Sequence, residues 1–414
     1  MPHRGGHDVS TILRELAHQV QEACAHPRYG QLKAMWTRHN RLQKVEKIPV
    51  SVHLHRGYTP TWRELIPPER LLSREPLERN LELQLRQKLY RHHEIPDDDV
   101  LLPTIWLEPV WPSGEGRLWG VALQRATPED PKGAYTFLPI VREEADLARL
   151  RYPRYEVDEP ATRLLVDRAR DLLDDLVPVK LWSNEVRESP GERIIDFLGW
   201  EGFLYGLIER PQLIHAMMDF LTEGMIQYQR ERERRGAVDA EASWSWRVHY
   251  EELPADQPPT QLRSCWAYIA AQATGTISPA MYREFIHPYN ARMVGLFGPG
   301  RIYYHGCEDL TPKLDIIAAL PGLRRFDVSA WTDLAMCVRK FERRVVLEVQ
   351  VHPGDTTVVH DTAGMRKALE RIVSVAGDCI LDINLSDVET VNATPSVLGT
   401  WATIAQEVVS RGRA

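Results

Sequence analysis

The sequence places a histidine and a cysteine two residues apart at the end of an apolar run, Ile302 to Cys307. If this run is a β-strand, His305 and Cys307 point to the same side. An imidazole and a thiol side by side are zinc ligands, and they are also the groups that thiol chemistry needs. The same spacing suits a buried cysteine beside a hydrogen-bonded core histidine. Polar groups on neighbouring strands are therefore needed to favour a metal or catalytic site over a buried structural pair.

The strand patterns around this pair carry polar residues on one side only. Residues 345–352 and 379–386 both alternate apolar with polar side chains, and the polar set includes Glu348 and Asp382. A carboxylate inside a protein is costly unless it is paired or used. The patterns predict that one polar site is formed by Tyr303, His305, Cys307, Glu348, Asp382 and Asn384.

Within this predicted site we take His305, Glu348 and Asp382 as the catalytic candidates. Structural alternatives exist for the two acids. Glu348 would also suit an ion pair with Lys180 or an arginine, and Asp382 would suit a cap for the following loop.

Two earlier strand patterns sort polar from apolar residues in the same way. In residues 48–55 the polar side includes His53 and His55, and in residues 101–108 it includes Trp106 and Glu108. Side chains on the polar faces of these strands would line the same pocket. The predicted substrate-facing residues are therefore His53, His55, Trp106, Glu108, Tyr303 and Asn384.

Eight strand patterns alternate with helical patterns along most of the chain, which predicts parallel strands. In this length the arrangement favours an α/β fold with a single (β/α)8 TIM barrel. Residues 1–46 are predicted to form an N-terminal helical extension and residues 47–414 the barrel. Residues 231–261 are predicted to be an irregular insertion near the barrel mouth, since the segment ADQPPT suits neither a helix nor a central strand. No GxGxxG follows a strand, which weakens a dinucleotide-binding alternative.

Net charge and cysteine content limit the classes of partner that the protein can bind. The chain has 414 residues, a net charge of -7 and an odd number of cysteines, five, without CxxC spacing. An acidic chain is unsuited to sequence-independent binding of nucleic acid or anionic lipid. Scattered single cysteines are typical of a reducing compartment. We expect a cytoplasmic protein without a signal peptide or membrane span, acting on a small molecule.

Several segments resemble the uroporphyrinogen decarboxylase superfamily, which also contains cobamide-dependent methyltransferases. The segment from Ile277 to Phe285, followed by His287-Pro288-Tyr289, is similar to the superfamily's SPxMYREFxxPY segment. Tyr304 to Cys307 resembles its HGC strand end, and residues 198–222 resemble the helix after its third strand. The resemblance covers the chain from about Val45 onward and implies the barrel fold.

Two departures bear on function. The decarboxylases carry an RQAGRY segment whose cations hold substrate carboxylates, whereas this chain has His55-Arg56-Gly57-Tyr58 there and lacks one arginine. The zinc methyltransferases use a second cysteine near the end of the last strand, where this chain has Ser386-Asp387. An oxygen ligand would then come from Glu348, Asp382 or Asp387. We expect Glu348, so the predicted metal ligands are His305, Cys307 and Glu348.

Three functions follow as hypotheses. The first is methyl transfer, in which zinc activates a thiol or polarises a methyl-bearing oxygen and the methyl group passes to or from a corrinoid on a partner protein. The second is a metal-free decarboxylase acting on a small acid held by Arg56 or Arg63, with Arg56 then part of the substrate site. The third is a barrel that binds without catalysing. A homodimer is one assembly state left open.

Overall fold

The computed structural model describes residues 9–114, 118–127, 135–244 and 249–411, without the side chains at 243 and 244. The strands are β1 (Val50–Val52), β2 (Ile105–Leu107), β3 (Arg125–Ala126), β4 (Thr136–Phe137), β5 (Val179–Leu181), β6 (Ala267–Ala270), β7 (Ile302–His305), β8 (Leu323–Val328), β9 (Val346–Val351) and β10 (Leu381–Leu385). The helices before β6 are α1 (Val9–Cys24), α2 (Pro27–Asn40), α3 (Pro60–Leu65), α4 (Pro76–Glu94), α5 (Glu159–Leu173), α6 (Pro190–Glu209), α7 (Pro211–Arg234) and α8 (Glu241–Trp244). The later helices are α9 (Pro279–Phe285), α10 (His287–Val294), α11 (Leu314–Ile317), α12 (Leu334–Phe341), α13 (Pro353–Thr357), α14 (Thr362–Ala376) and α15 (Val397–Arg411).

The fold is mixed α/β around a central parallel sheet of six strands in the order β1-β10-β9-β8-β7-β6. A second parallel pair joins β2 to β5, and β3 and β4 form a short antiparallel pair. All eight predicted strands are present, each shorter than its sequence pattern. The β3–β4 pair was not predicted, because each of its strands has only two residues and shows no alternation.

Side-chain carboxylates replace a strand along one edge of β1. Within the described residues, no ladder joins β1 to β2. Instead the backbone N–H of Val50 donates to Asp98 Oδ2 at 2.9 Å and that of Val52 donates to Asp97 Oδ2 at 2.8 Å. The carbonyl of Val52 accepts from Arg91 Nη1 at 2.8 Å. This edge is thus hydrogen-bonded without a neighbouring strand, as a buried edge must be.

A serine does the same between β5 and β6, where the described residues also show no ladder. The Ser189 hydroxyl accepts from the N–H of Ala270 and donates to the carbonyl of Tyr268, both at 3.0 Å. Ser189 directly precedes α6, the helix after β5, so this bond ties the β5 unit to β6.

Ser189→Ala should therefore lower the free energy of unfolding by about 1 to 3 kcal/mol, because it leaves a buried N–H and a buried carbonyl without their partner. Urea unfolding would measure the change. Ser410→Ala is the matched control, since the Ser410 hydroxyl donates to the carbonyl of Gln406 on an exposed helix face. Equal stability of the wild type and Ser189→Ala would contradict the bridging role.

The helices differ from their predicted limits in two places. Residues 198–222, which resemble one helix of the superfamily, belong to two helices, α6 and α7, which meet at Arg210 with Pro211 in the first turn of α7. The predicted irregular insertion at residues 231–261 begins inside α7 and contains α8. Its residues 245–248 lie outside the described part of the chain.

The N-terminal helices pack into the body of the fold. Leu13, Ala17 and Val20 of α1 share a core with β2, β5, α4 and α5. Helix α2 ends at Asn40, whose neighbour His39 is 1% exposed. Among the helices of the described residues, none is both long and apolar enough to cross a bilayer.

Candidate functional site

His305 and Cys307 lie together at the C-terminal end of β7. The imidazole is 1% exposed, and its Nε2 is 3.3 Å from Cys307 Sγ. Its Nδ1 is 2.6 Å from Asp327 Oδ2 on β8. Because Nδ1 faces a carboxylate, we assign the ring proton to Nδ1, which leaves the Nε2 lone pair directed at the thiol. A carboxylate behind a histidine in this way is the arrangement that orients imidazole ligands of metals.

Asp327 is itself held in place by two further hydrogen bonds. Its Oδ2 accepts from Gln350 Nε2 at 2.8 Å and from the backbone N–H of Gly306 at 3.3 Å. The Gly306 bond fixes the backbone between the histidine and the cysteine. The carboxylate therefore orients both side chains of the pair.

Asp387 and His55 extend the pair into a row of four metal-ligating side chains. Asp387 Oδ2 is 3.7 Å from Cys307 Sγ, and its Oδ1 is 3.4 Å from His55 Nε2. Asp387 follows β10 with φ at 54°, in the left-handed region that few residues adopt. We name His305, Cys307, Asp387 and His55 the donor row.

The donor row matches zinc in ligand chemistry. Zinc is bound by cysteine sulfur, histidine nitrogen and carboxylate oxygen, and a catalytic site needs three protein ligands. His305 and Cys307 supply nitrogen and sulfur, and Asp387 supplies oxygen. The aspartate takes the place in the chain where the resemblance suggests a second cysteine.

Glu348, predicted as the third ligand, is bound elsewhere. Its Oε2 accepts from Arg325 Nη2 at 2.8 Å, and its Oε1 accepts from the Tyr303 hydroxyl at 2.9 Å. Arg325 Nη2 also donates to the Asp382 carboxylate at 3.0 Å, and Arg325 Nη1 donates to Asn40 Oδ1 at 2.9 Å. The structure thus pairs Glu348 and Asp382 with an arginine, which was the structural alternative for Glu348. Asp387, and not Glu348, is the carboxylate beside Cys307. The ligand set of His305, Cys307 and Glu348 stays a prediction.

Arg325 offsets only one of the two carboxylate charges in this buried network. Burial raises the pKa of Asp382, but Arg325 and His39 outweigh burial and leave it below the ordinary range. Burial lowers the pKa of His39, although its bond to Asp382, 2.9 Å from Nε2 to Oδ2, acts in the other direction. Two carboxylates therefore face one guanidinium, with a neutral His39 as hydrogen-bond donor.

A second group of ligand atoms lies within this network. His249, Glu348 and Asp382 each offer one ligand atom within 4.8 Å of the others, so the group could hold a metal ion. His249 Nε2 lies 3.3 Å from Ser51 Oγ, and its ring stacks on Trp36 at 3.9 Å. The guanidinium of Arg325 already binds both carboxylates, and its charge opposes a cation there. The donor row does not meet this distance criterion, although all of its residues are described. By ligand type it is nevertheless the better match to zinc, because it includes a thiol.

Tyr303 connects the network to the donor row. Its hydroxyl donates to Glu348 and lies 3.1 Å from His305 Nδ1. Asn384 Nδ2 donates to the same Glu348 oxygen at 3.4 Å. Both residues were predicted to face the substrate, and the structure places them in the buried polar interior beside Glu348.

The remaining predicted substrate residues line a cavity of about 1060 Å³ that begins beside the donor row. Since His55 belongs to both, the cavity and the donor row are adjacent. The predicted residues that line this cavity are His53, His55, Arg56, Trp106 and Glu108.

Arg56 lies between two aromatic rings in this cavity. Its guanidinium carbon is 5.4 Å from the ring centroids of both Trp106 and Trp182. Burial, and next the guanidinium of Arg187, lower the pKa of Arg56 to about 10. Even so it is cationic at neutral pH, and it can bind an anionic or π-rich ligand.

Sequence reasoning missed four residues that build this region. Arg325 shares the strand parity of Asp327, so the alternation of β8 could have revealed it. His39, Asn40 and His249 lie on α2 and on the insertion, far from the strands in sequence, and no local pattern marks them.

Comparison with known proteins supports the fold. No protein-family model and no curated protein matches the chain. Among solved structures, the chain is similar to a methyltransferase from Methanosarcina mazei, with a TM-score of 0.52 and 14% sequence identity. The match covers 90% of this chain and 98% of the other. At this identity the likeness shows a shared overall fold.

Proposed function

We propose that the protein is a zinc-dependent enzyme that transfers a methyl group from a small molecule. The observation that carries this proposal is the donor row, in which His305 Nε2 lies 3.3 Å from Cys307 Sγ and Asp387 lies 3.7 Å from the same sulfur. The adjacent cavity and the fold shared with a solved methyltransferase support it.

His305, Cys307 and Asp387 would hold the zinc, which when bound would polarise the methyl-bearing heteroatom of the substrate and make it a better leaving group. In the transfer, the bond from the methyl carbon to the substrate heteroatom breaks. The heteroatom keeps the electron pair and gains a proton. His55 lines the cavity beside Asp387 and is positioned to donate that proton.

The acceptor in this proposal is a reduced corrinoid carried by a partner protein, whose cobalt supplies the electron pair for the new bond to the methyl carbon. This finer assignment rests on the resemblance of Tyr304–Cys307 and Ile277–Phe285 to the uroporphyrinogen decarboxylase superfamily. The ligand types of the donor row support the zinc, and the resemblance supports the corrinoid.

We further propose that the eight parallel strands close into a (β/α)8 barrel. The first and last strands, β1 and β10, are paired, and six of the eight strands form one continuous sheet. The bonds of Asp97 and Asp98 on one side and of Ser189 on the other span the two places where a ladder is missing.

Elemental analysis and a methylation assay test the function together. Protein purified with added zinc should retain about one zinc per chain and should methylate free cob(I)alamin from a methyl thioether, methyl ether or methylamine. Zinc retention without transfer from any of these donors would leave the metal site and remove the methyl-transfer proposal. Methyl transfer by protein that stays free of zinc would exclude zinc from the proposed mechanism.

Asp327→Asn should weaken zinc binding by about 10- to 100-fold, because an amide behind His305 no longer fixes the imidazole as a carboxylate does. Competition with a chromogenic chelator would measure the affinity. Asp309→Asn is the control, since Asp309 is exposed in the same loop and accepts only a local bond from Thr311. Unchanged zinc affinity in Asp327→Asn would contradict the orienting role.

A second candidate is decarboxylation of a small acid. Arg56, stacked between Trp106 and Trp182 in the cavity, favours it because a guanidinium is suited to bind a carboxylate. Release of carbon dioxide by zinc-free protein, lost in Arg56→Gln, would support this candidate over methyl transfer.

A further inference from the structure

We infer that the cavity beside the donor row binds an elongated amphiphile, with a flat anionic head next to Arg56 and an aliphatic chain between α4 and α5. As a statement about the substrate of the enzyme, this inference rests on the proposed function. Binding of such a molecule is a separate property and can be measured without catalysis.

The cavity crosses the layer of strands. Its lining includes Ser51 and His53 from one side of β1 and its extension, and Val52 and Leu54 from the other. It reaches both sides at the C-terminal end of β1 and beside the edge of β1 toward β2, where the described residues show no ladder and Asp97 and Asp98 bind the backbone of β1. The cavity therefore leads from the polar interior to the helix layer.

The cavity is long. Its lining follows one face of α4 at helical spacing, through Leu77, Asn80, Gln84, Lys88 and Arg91. At a rise of 1.5 Å per residue this face spans about 21 Å. Together with the volume of about 1060 Å³, at the upper end of ordinary ligand pockets, this length fits an extended molecule better than a small methyl donor.

The chemistry of the lining changes along that length. Near the strands it presents Arg56 with Trp106 and Trp182, and farther along α4 the cation Lys88. Burial lowers the pKa of Lys88 to about 8, so it is still largely charged at pH 7. These groups are suited to a flat anionic head.

The other end of the cavity is apolar. The first turn of α4 and one face of α5 contribute Leu77, Ala161, Leu164 and Leu165. Leu164 is 71% exposed, although it lines the cavity. An aliphatic chain lying there would remove this leucine from water, which is favourable. The order of polar and apolar groups thus matches a head and a tail.

Calorimetry with 4-methyl-, 4-butyl- and 4-octylbenzoate tests this inference, since these acids have no methyl group on a heteroatom to transfer. We expect the affinity to rise about twofold per methylene, or roughly 100-fold over the chain from methyl to octyl. Leu164→Gln should weaken octylbenzoate about fivefold and leave methylbenzoate unchanged. Arg56→Gln should weaken all three acids by a similar factor. Leu204→Gln, at an exposed leucine on α6 outside the cavity lining, should change none.

The outcomes separate this inference from the proposed function. Affinity that does not depend on chain length, or an equal loss for all acids in Leu164→Gln, would contradict binding of an aliphatic chain between α4 and α5. If affinity depends on chain length but the protein binds no zinc and transfers no methyl group, the amphiphile site is supported. The proposed function is then excluded.

Discussion

Cys307→Ser should abolish zinc retention and methyl transfer together, with a loss in transfer rate of at least about 100-fold. A serine hydroxyl does not replace a thiolate as a zinc ligand, and the pair that remains, His305 and Asp387, has too few donors for stable binding. Metal content after dialysis and the rate of cob(I)alamin methylation would be measured on the same preparations. The two losses should be of similar extent.

Three further variants locate the third ligand. Asp387→Asn should weaken zinc binding markedly, because Asp387 lies 3.7 Å from Cys307 Sγ. Glu348→Gln should leave zinc content near that of the wild type, because Arg325 and Tyr303 bind that carboxylate. Cys24→Ser is the thiol control, since Cys24 ends α1 and packs beside the N-terminal cores.

The pattern of results decides between the two metal groups. Zinc lost in Glu348→Gln and kept in Cys307→Ser would place the metal at His249, Glu348 and Asp382 instead. Zinc kept in all the variants would remove both groups as zinc sites.

Strand periodicity predicted the parts of this fold that depend on local sequence. Alternation in residues 345–352 and 379–386 indicated buried polar faces, and Glu348 and Asp382 are indeed 0% exposed and contact residues of neighbouring strands. The His305–Cys307 pair follows from the same period of two. A strand's own sequence is enough for such inferences, because its two faces meet different surroundings.

Partners that come from distant segments could not be predicted in this way. Arg325 and His39 meet Asp382 across 57 and 343 residues of sequence, and Asp387 meets Cys307 across 80. Periodicity places a carboxylate on the inner face of a strand but does not show whether an arginine or a metal compensates it. Local sequence therefore does not decide between Glu348 and Asp387 as the third zinc ligand, and the choice of Glu348 stays a prediction.

The buried arginine also accounts for the stability of the interior. Arg325, Glu348 and Asp382 are each 0% exposed, and the bonds of Arg325 to the two carboxylates are 2.8 and 3.0 Å long. Burial lowers the pKa of Arg325, but the two carboxylates outweigh burial and raise it. The guanidinium is therefore charged throughout the accessible pH range, and its loss would leave two carboxylates in the core.

Arg325→Leu should lower the free energy of unfolding by about 3 to 5 kcal/mol at pH 7, because it leaves buried carboxylates without a counter-charge. In this variant Asp382 would lose the guanidinium that opposes the effect of burial, so its folded-state pKa would rise above the unfolded value of about 4 and the folded state would bind more protons between those values. The defect should therefore shrink as pH falls from 7 toward 4. In the wild type, Asp382 has a lowered pKa, so its contribution is present above about pH 4 and is lost only below it.

Urea unfolding at pH 7, 6 and 5 would measure these differences. Adding Glu348→Gln and Asp382→Asn to Arg325→Leu should recover part of the loss at pH 7, since the uncompensated charges are then gone. Arg366→Leu is the matched control, because Arg366 pairs with Glu407 at a surface where both side chains are partly exposed, and its effect should be much smaller. A defect in Arg325→Leu that stays constant with pH would show that lost packing, rather than the two buried charges, limits its stability.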